Sequence, residues 1–150
     1  MILLSRRSQL AVAAVVDVAL HARPLPVAAK ALASRHNLPP RHLETLLQAL
    51  VRANILKGVR GPRGGYELAR ERRRITAGDI VRAAMTDTSD EDGSPEPDSA
   101  LVDRVVGPLV ERAGQKFLGE LDAVTVDDLC RQASEQAVFA DMRQGADFTI

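Results

Sequence analysis

Between Pro40 and Asn54, the polar side chains Arg41, Glu44, Thr45 and Gln48 follow one another at helical spacing. Positions i, i+3, i+4 and i+7 lie on one face of a helix, so these donors and acceptors would stand in a row. Such a row suits hydrogen bonding to base edges and phosphates, because a single α-helix fits the DNA major groove. Further along, Arg60 and Arg63 bracket Gly61-Pro62, and Gly64-Gly65 follows directly. An arginine on such a loop can lie against the phosphate backbone or enter the narrower minor groove. Gly64 and Gly65 would let the loop backbone approach a sugar-phosphate closely.

Other chemistries find little support. Cys130 is the single cysteine, which excludes a disulfide framework and any site built from several thiolates of one chain. Next to Leu129 on a helix, it reads as a small core residue, with a redox switch as the alternative. His21, His36 and His42 are scattered at expected helix ends, so no metal site is expected. No nucleophile–base pairing or phosphate-cradling motif appears, so neither catalysis nor a bound cofactor is expected.

The chain of 150 residues has a formal net charge of zero, and this hides a strong asymmetry. Residues 1–75 hold 14 Lys/Arg against 4 Asp/Glu, and residues 76–150 hold 6 against 16. The halves therefore carry +10 and −10, the pattern of a basic half facing a polyanion joined to a solvating or partner-facing half. No apolar run is long enough for a membrane span, since Leu10 to Leu20 is short and interrupted by Asp17. No cleavage-site pattern follows the first helix, and the expected compartment is the cytoplasm.

The elements that must position these residues are mostly helical. Low aromatic content (3%) leaves Leu, Val and Ala to build the core, an alphabet that favours helices. Ser5 is placed to cap a buried helix over Arg6–Ala22, and a short helix is expected over Val27–His36. Leu43, Leu46, Leu47, Leu50 and Val51 form the core stripe of the helix Pro40–Asn54. β-forming runs on either side of Gly61–Gly65 predict a hairpin. The basic run Arg70–Arg74 follows, either a solvated turn or a phosphate contact. Thr76 and Asp79 have capping-box spacing for a helix Ala77–Met85, as do Thr125 and Asp128 for a helix from Val126 to about Arg143. Between them, Leu101–Ala123 carries an apolar stripe including Val106, Leu109, Ala113, Phe117 and Leu121, with Gly107-Pro108 expected to kink or restart it. Gly114 and Gly119 would permit a close helix approach.

The predicted fold is mainly α: a winged helix-turn-helix with a small β-hairpin wing, followed by a long C-terminal dimerisation helix. The expected organisation is a DNA-binding unit over 1–85, an acidic flexible loop over 86–98 and a helical dimerisation region over 99–150. The loop reading rests on six acidic residues, two prolines and no basic residue in Thr86–Asp98.

The runs Leu43-Glu-Thr-Leu-Leu47, Val59-Arg-Gly-Pro-Arg-Gly-Gly-Tyr-Glu-Leu-Ala69 and Ile75-Thr-Ala-Gly-Asp-Ile-Val81 resemble the IscR/NsrR group of winged-helix transcription regulators, the Rrf-two family. The resemblance extends from about Leu4 to Cys130. It implies a homodimeric DNA-binding repressor or activator, with Glu44 and Thr45 where the recognition helix reads bases and Arg60 where a wing arginine enters the minor groove. Many members of the family hold an iron–sulfur cluster on cysteines in the loop before the dimerisation helix. Here Thr86–Val110 contains neither Cys nor His. Arg7-Ser-Gln9 and His42 also depart from the family's usual residues.

The expectation is a cluster-free homodimer that binds double-stranded DNA at a palindromic operator, most simply as a repressor. The competing readings are a degenerate winged helix kept for protein interaction and a redox-responsive regulator sensing through Cys130. The sequence does not name an effector.

Overall fold

A computed structural model of the chain describes residues 4–86 and 99–139. The acidic stretch 87–98, and the end of the last predicted helix from residue 140 on, lie outside the described residues. Ser5 opens helix α1 (Arg6–His21), its side chain accepting from the Ser8 amide. Helix α1 forms the centre of the core, burying Ala11, Ala14, Val15 and Val18. Its small side chains let α4, α6 and the hairpin all pack closely around it.

Helix α2 (Ala29–His36) starts two residues later than predicted. Val27 does not belong to it, because its backbone is extended and pairs with the hairpin: its amide donates to the Tyr66 carbonyl at 2.9 Å and its carbonyl accepts from the Tyr66 amide at 2.8 Å. Pairing with a neighbouring edge overrode the apolar helical pattern at this position. Asn37 ends α2 in the left-handed region at φ 52°, and the Leu38 amide reaches back to the Ala33 carbonyl. That reversal closes one helix and aims the next.

Helix α3 (Pro40–Arg52) has Pro40 in its first turn, where a missing N–H leaves no helical bond unmade. Leu43, Leu46, Leu47 and Leu50 are buried as the stripe predicts. Val51 is not: it is 39% exposed, because at the edge of the stripe the chain already turns toward Ile55, which takes the core position. Strands β1 (Leu56–Val59) and β2 (Gly65–Leu68) pair antiparallel in the register Leu56–Leu68 to Val59–Gly65.

The segment before α4 (Ala77–Thr86) and the segment before α6 (Val126–Glu135) are tied to each other. The Ala77 amide donates to the Val124 carbonyl, and the Val126 amide to the Ile75 carbonyl, both at 2.8 Å. Each helix then starts on a complete capping box. Thr76 and Asp79 exchange bonds of 3.0 and 3.1 Å, and Thr125 and Asp128 do the same. Helix α6 is interrupted by a turn after Glu135, Val138 and Phe139 are helical again, and the remainder of the predicted helix lies outside the described residues.

The helix carrying the predicted dimerisation stripe runs through Gly107-Pro108 without a break. A π turn (Val102–Val106) leads into α5 (Gly107–Asp122), with the Gly107 amide bonded to the Val102 carbonyl. Pro108 lacks an N–H and its ring crowds the preceding turn, so a widened turn is the way a helix continues past it. Helix α5 is held to α4 by Arg82, whose two guanidinium nitrogens donate to Asp122 at 2.6 and 2.8 Å. Gly78 makes this approach feasible, because a Cβ there would fall 1.8 Å from the Asp122 Oδ1.

Candidate nucleic-acid interface

Helix α3 buries one face and turns the other outward. Arg41, Glu44, Thr45 and Gln48 are all exposed. Thr45 donates its hydroxyl hydrogen to the Arg41 carbonyl at 3.1 Å, which leaves its oxygen lone pairs and methyl outward-facing. The side chains of Arg41, Glu44 and Gln48 make no hydrogen bond or ion pair among the described residues. Their full donor and acceptor capacity is therefore available to a groove.

The hairpin starts directly after α3, through the bond from the Ile55 amide to the Leu50 carbonyl at 3.0 Å. Arg60 and Arg63 stand exposed at its tip, with no counter-charge among the described residues. The two adjacent glycines have a role inside the fold. A Cβ on Gly64 would lie 2.2 Å from the Val59 carbonyl oxygen, and one on Gly65 would lie 2.3 Å from the Val27 carbonyl oxygen. Glycine is thus required there by the closing of the wing and by its docking on the Val27 backbone, whatever the wing then touches.

The predicted dimerisation residues lie along one helix but differ in cover. Val106, Leu109 and Ala113 are exposed, while Phe117 and Leu121 are half-buried toward the end near α4. Leu101, Val102, Val105 and Val110 extend the exposed apolar surface. Gly114 and Gly119 face open space.

One constellation was missed from sequence. Asp17 is fully buried in α1 and accepts from three side chains at once. Arg35 donates Nε at 2.8 Å and Nη2 at 2.6 Å, His36 Nε2 lies at 2.8 Å, and His21 Nδ1 at 3.0 Å. Burial opposes ionisation, yet the hydrogen bonds from His36 and Arg35 outweigh it and hold the carboxyl at about 2. Arg35 and His36 are the last residues of α2, just before the turn that aims α3. Two of the three histidines read as scattered helix-end residues, His21 and His36, are arms of this knot. The only signal in the sequence was the i, i+4 pair Asp17–His21.

The basic run also resolves into specific contacts. Arg72 Nε lies 2.8 Å from Asp127 on α6, and Arg70 donates to the carbonyls of Asn54 and Arg74.

The profile of the Rrf2 family, described as an iron-dependent transcriptional regulator, matches residues 4–132. The chain belongs to the Rrf2 family. An HTH-type transcriptional regulator of Synechocystis is 35% identical over 126 residues, covering 84% of this chain and 86% of the relative. The solved structure of T. potens IscR is 34% identical with a TM-score of 0.67, covering 89% of each chain. CymR, the global cysteine regulator of B. subtilis, superimposes with a TM-score of 0.64 at 27% identity, over 88% of this chain and 98% of that one. As an Rrf2-family member, the chain is a DNA-binding transcription regulator with a winged helix-turn-helix fold.

The iron in the family's description does not fit this member's donors. A thiolate-held cluster needs several cysteines. This Rrf2 protein has Cys130 alone, 2% exposed in the core between α1 and α6. Burial pushes its thiol up, away from the thiolate that iron would bind, with the Arg72 guanidinium opposing in part. No group of His, Cys, Asp and Glu suited to a metal ion occurs among the described residues.

Proposed function

We propose that this Rrf2 protein acts as a homodimeric repressor that reads a palindromic operator, and that it works by binding, not catalysis. The observation that carries the proposal is the outward face of α3, where the side chains of Arg41, Glu44 and Gln48 make no hydrogen bond among the described residues. In the free protein water satisfies this row, and in a groove base edges and phosphates can take the water's place. Gln48 and Arg41 suit bidentate bonds to purines, Glu44 accepts from a cytosine amino group, and the Thr45 methyl suits thymine. Arg60 and Arg63 on the wing supply the flanking backbone or minor-groove contact.

Dimerisation is supported by the exposed apolar surface on the helix from Leu101 to Val110, where Leu101 is 65% and Val110 62% exposed. An isologous contact buries one such surface against its copy. Two recognition helices related by a two-fold axis then read half-sites about one helical turn apart or a multiple of it. Occupancy of that stretch is enough to exclude polymerase, which is why repression is the simplest outcome. No helix among the described residues is long and apolar enough to cross a membrane, which agrees with action in the cytoplasm.

The test is fluorescence anisotropy on operators selected from the source genome, at rising salt, with sedimentation analysis of the complex. Two chains per palindromic site, with affinity falling steeply as salt rises, support the reading. Salt-insensitive binding, or one chain per site, would overturn it.

A further inference from the structure

A second concave surface lies at the opposite end of the hairpin from its tip. The last turn of α1, the base of β1–β2 and the segment 70–73 enclose a cleft of about 710 Å³. That is within the range of small-molecule sites, about 300–1,000 Å³. Ala19, Leu20 and Leu68 contribute apolar lining.

The charges around the cleft divide into compensated and uncompensated groups. Lys57 is paired with Glu67 at 3.1 Å, and Arg72 with Asp127 at 2.8 Å. Arg70 is fixed by the Asn54 and Arg74 carbonyls, which orient its guanidinium without neutralising it. Arg23 has no partner among the described residues, and Arg73 is 83% exposed with only a 3.8 Å approach to Asp127. Arg23 from just past the end of α1 and Arg70 and Arg73 from the 70–73 segment therefore line one cleft, where five cationic side chains stand against the two carboxylates Glu67 and Glu71. The supports are firm: the 70–73 segment is tied to α6 by the Asp127 amide on the Arg72 carbonyl, and the hairpin is tied to Val27.

We propose that this cleft binds a small metabolite carrying two or three negative charges, phosphate or carboxylate, on a compact partly apolar frame. The DNA duplex is the obvious rival owner of these charges, but it is a wide convex rod, whereas the cleft is concave. It also sits away from the wing tip, by a strand length of about 13 Å for four residues. The proposal goes beyond DNA recognition and does not depend on it.

Calorimetric titration of the full chain without DNA, using citrate and pyrophosphate as probes against chloride at matched ionic strength, tests it. Saturable binding of one probe per chain is expected, weakened about tenfold or more by Arg23→Ala and by Arg73→Ala, since each removes a charge-assisted bond. Both side chains are exposed, so unchanged circular dichroism should accompany the loss. Absence of saturable binding by either probe overturns the site, as does binding that both variants leave unaltered. A lowered salt slope for DNA in both variants, with no anion bound, would assign these arginines to the operator backbone instead. Because the titration contains no DNA, its outcome is independent of any failure of the operator reading.

Discussion

The carboxylate of Asp17 receives Nε and Nη2 of Arg35 in a two-pronged bond, at 2.8 and 2.6 Å, across the joint between α1 and α2. Removing one member of a buried pair leaves the other uncompensated, at a cost of about 3–5 kcal/mol when both are fully buried. Arg35 is 29% exposed, so the lower end applies. Asp17→Ala should therefore unfold at markedly lower urea concentration, and Arg35→Ala somewhat less so. Wild-type midpoints in either variant would show that the knot is incidental.

The same carboxylate gives a pH signature. Its folded value of about 2 lies below the ordinary 3.8, so the stability it contributes is full above that ordinary value. It is lost as pH falls through the interval toward 2. The shift corresponds to about 2 kcal/mol. Asp17→Asn should start less stable at neutral pH and lose less between pH 5 and 2 than the wild type. Parallel acid-unfolding curves for the two would contradict this.

On the interface, Gln48→Ala should reduce discrimination between operator variants by about 1–3 kcal/mol at one base position. Arg63→Ala should weaken all sequences alike and lower the salt slope by about one contact. Anisotropy titrations over an operator mutant set separate the two effects. A Gln48 variant that loses affinity uniformly would move that residue from base to backbone contact.

Dimerisation can be tested at two depths of the same helix. Leu109 is 56% exposed, so Leu109→Asp should leave the circular dichroism spectrum intact while producing monomers with weak DNA binding. Phe117→Asp should act in the same direction, with some loss of stability because that ring is half-buried. If both variants sediment as dimers, the interface lies elsewhere.

Cys130 is expected to pack, not to sense. Its raised thiol keeps the thiolate fraction low at neutral pH, so thiol reagents should react only as fast as the protein unfolds. Cys130→Ser should leave operator affinity unchanged and cost about 1–3 kcal/mol of stability from a buried hydroxyl. Loss of DNA binding on mild oxidation that this variant abolishes would make the thiol a switch.

What the sequence made legible was mainly local. The α3 stripe, both Thr–Asp capping boxes and the wing all depend on neighbours within a few residues, and each appears as read, apart from Val51. What stayed hidden depends on distant partners. Val27 follows the helical pattern of α2, yet a backbone edge formed by Tyr66 claims it. His36 and Arg35 look like an ordinary basic helix end, and only folding brings them onto Asp17. The π turn before Pro108 was half visible, since the proline announced a disturbance without saying how it would be absorbed. At the interface, exposure of the predicted α3 residues was legible from periodicity, but the internal packing role of Gly64 and Gly65 was not.

The two-bond bridge between Val27 and Tyr66 joins the wing to the extended residue that leads straight into α2. Any tilt of the wing must then drag the entry of the helix-turn-helix with it. If α3 and the wing read DNA as proposed, they form a caliper whose spacing is set within one chain. In the proposed dimer, adjustment to different operators would then fall to the gap between two such units, since within each the wing and the entry of α2 are bonded together.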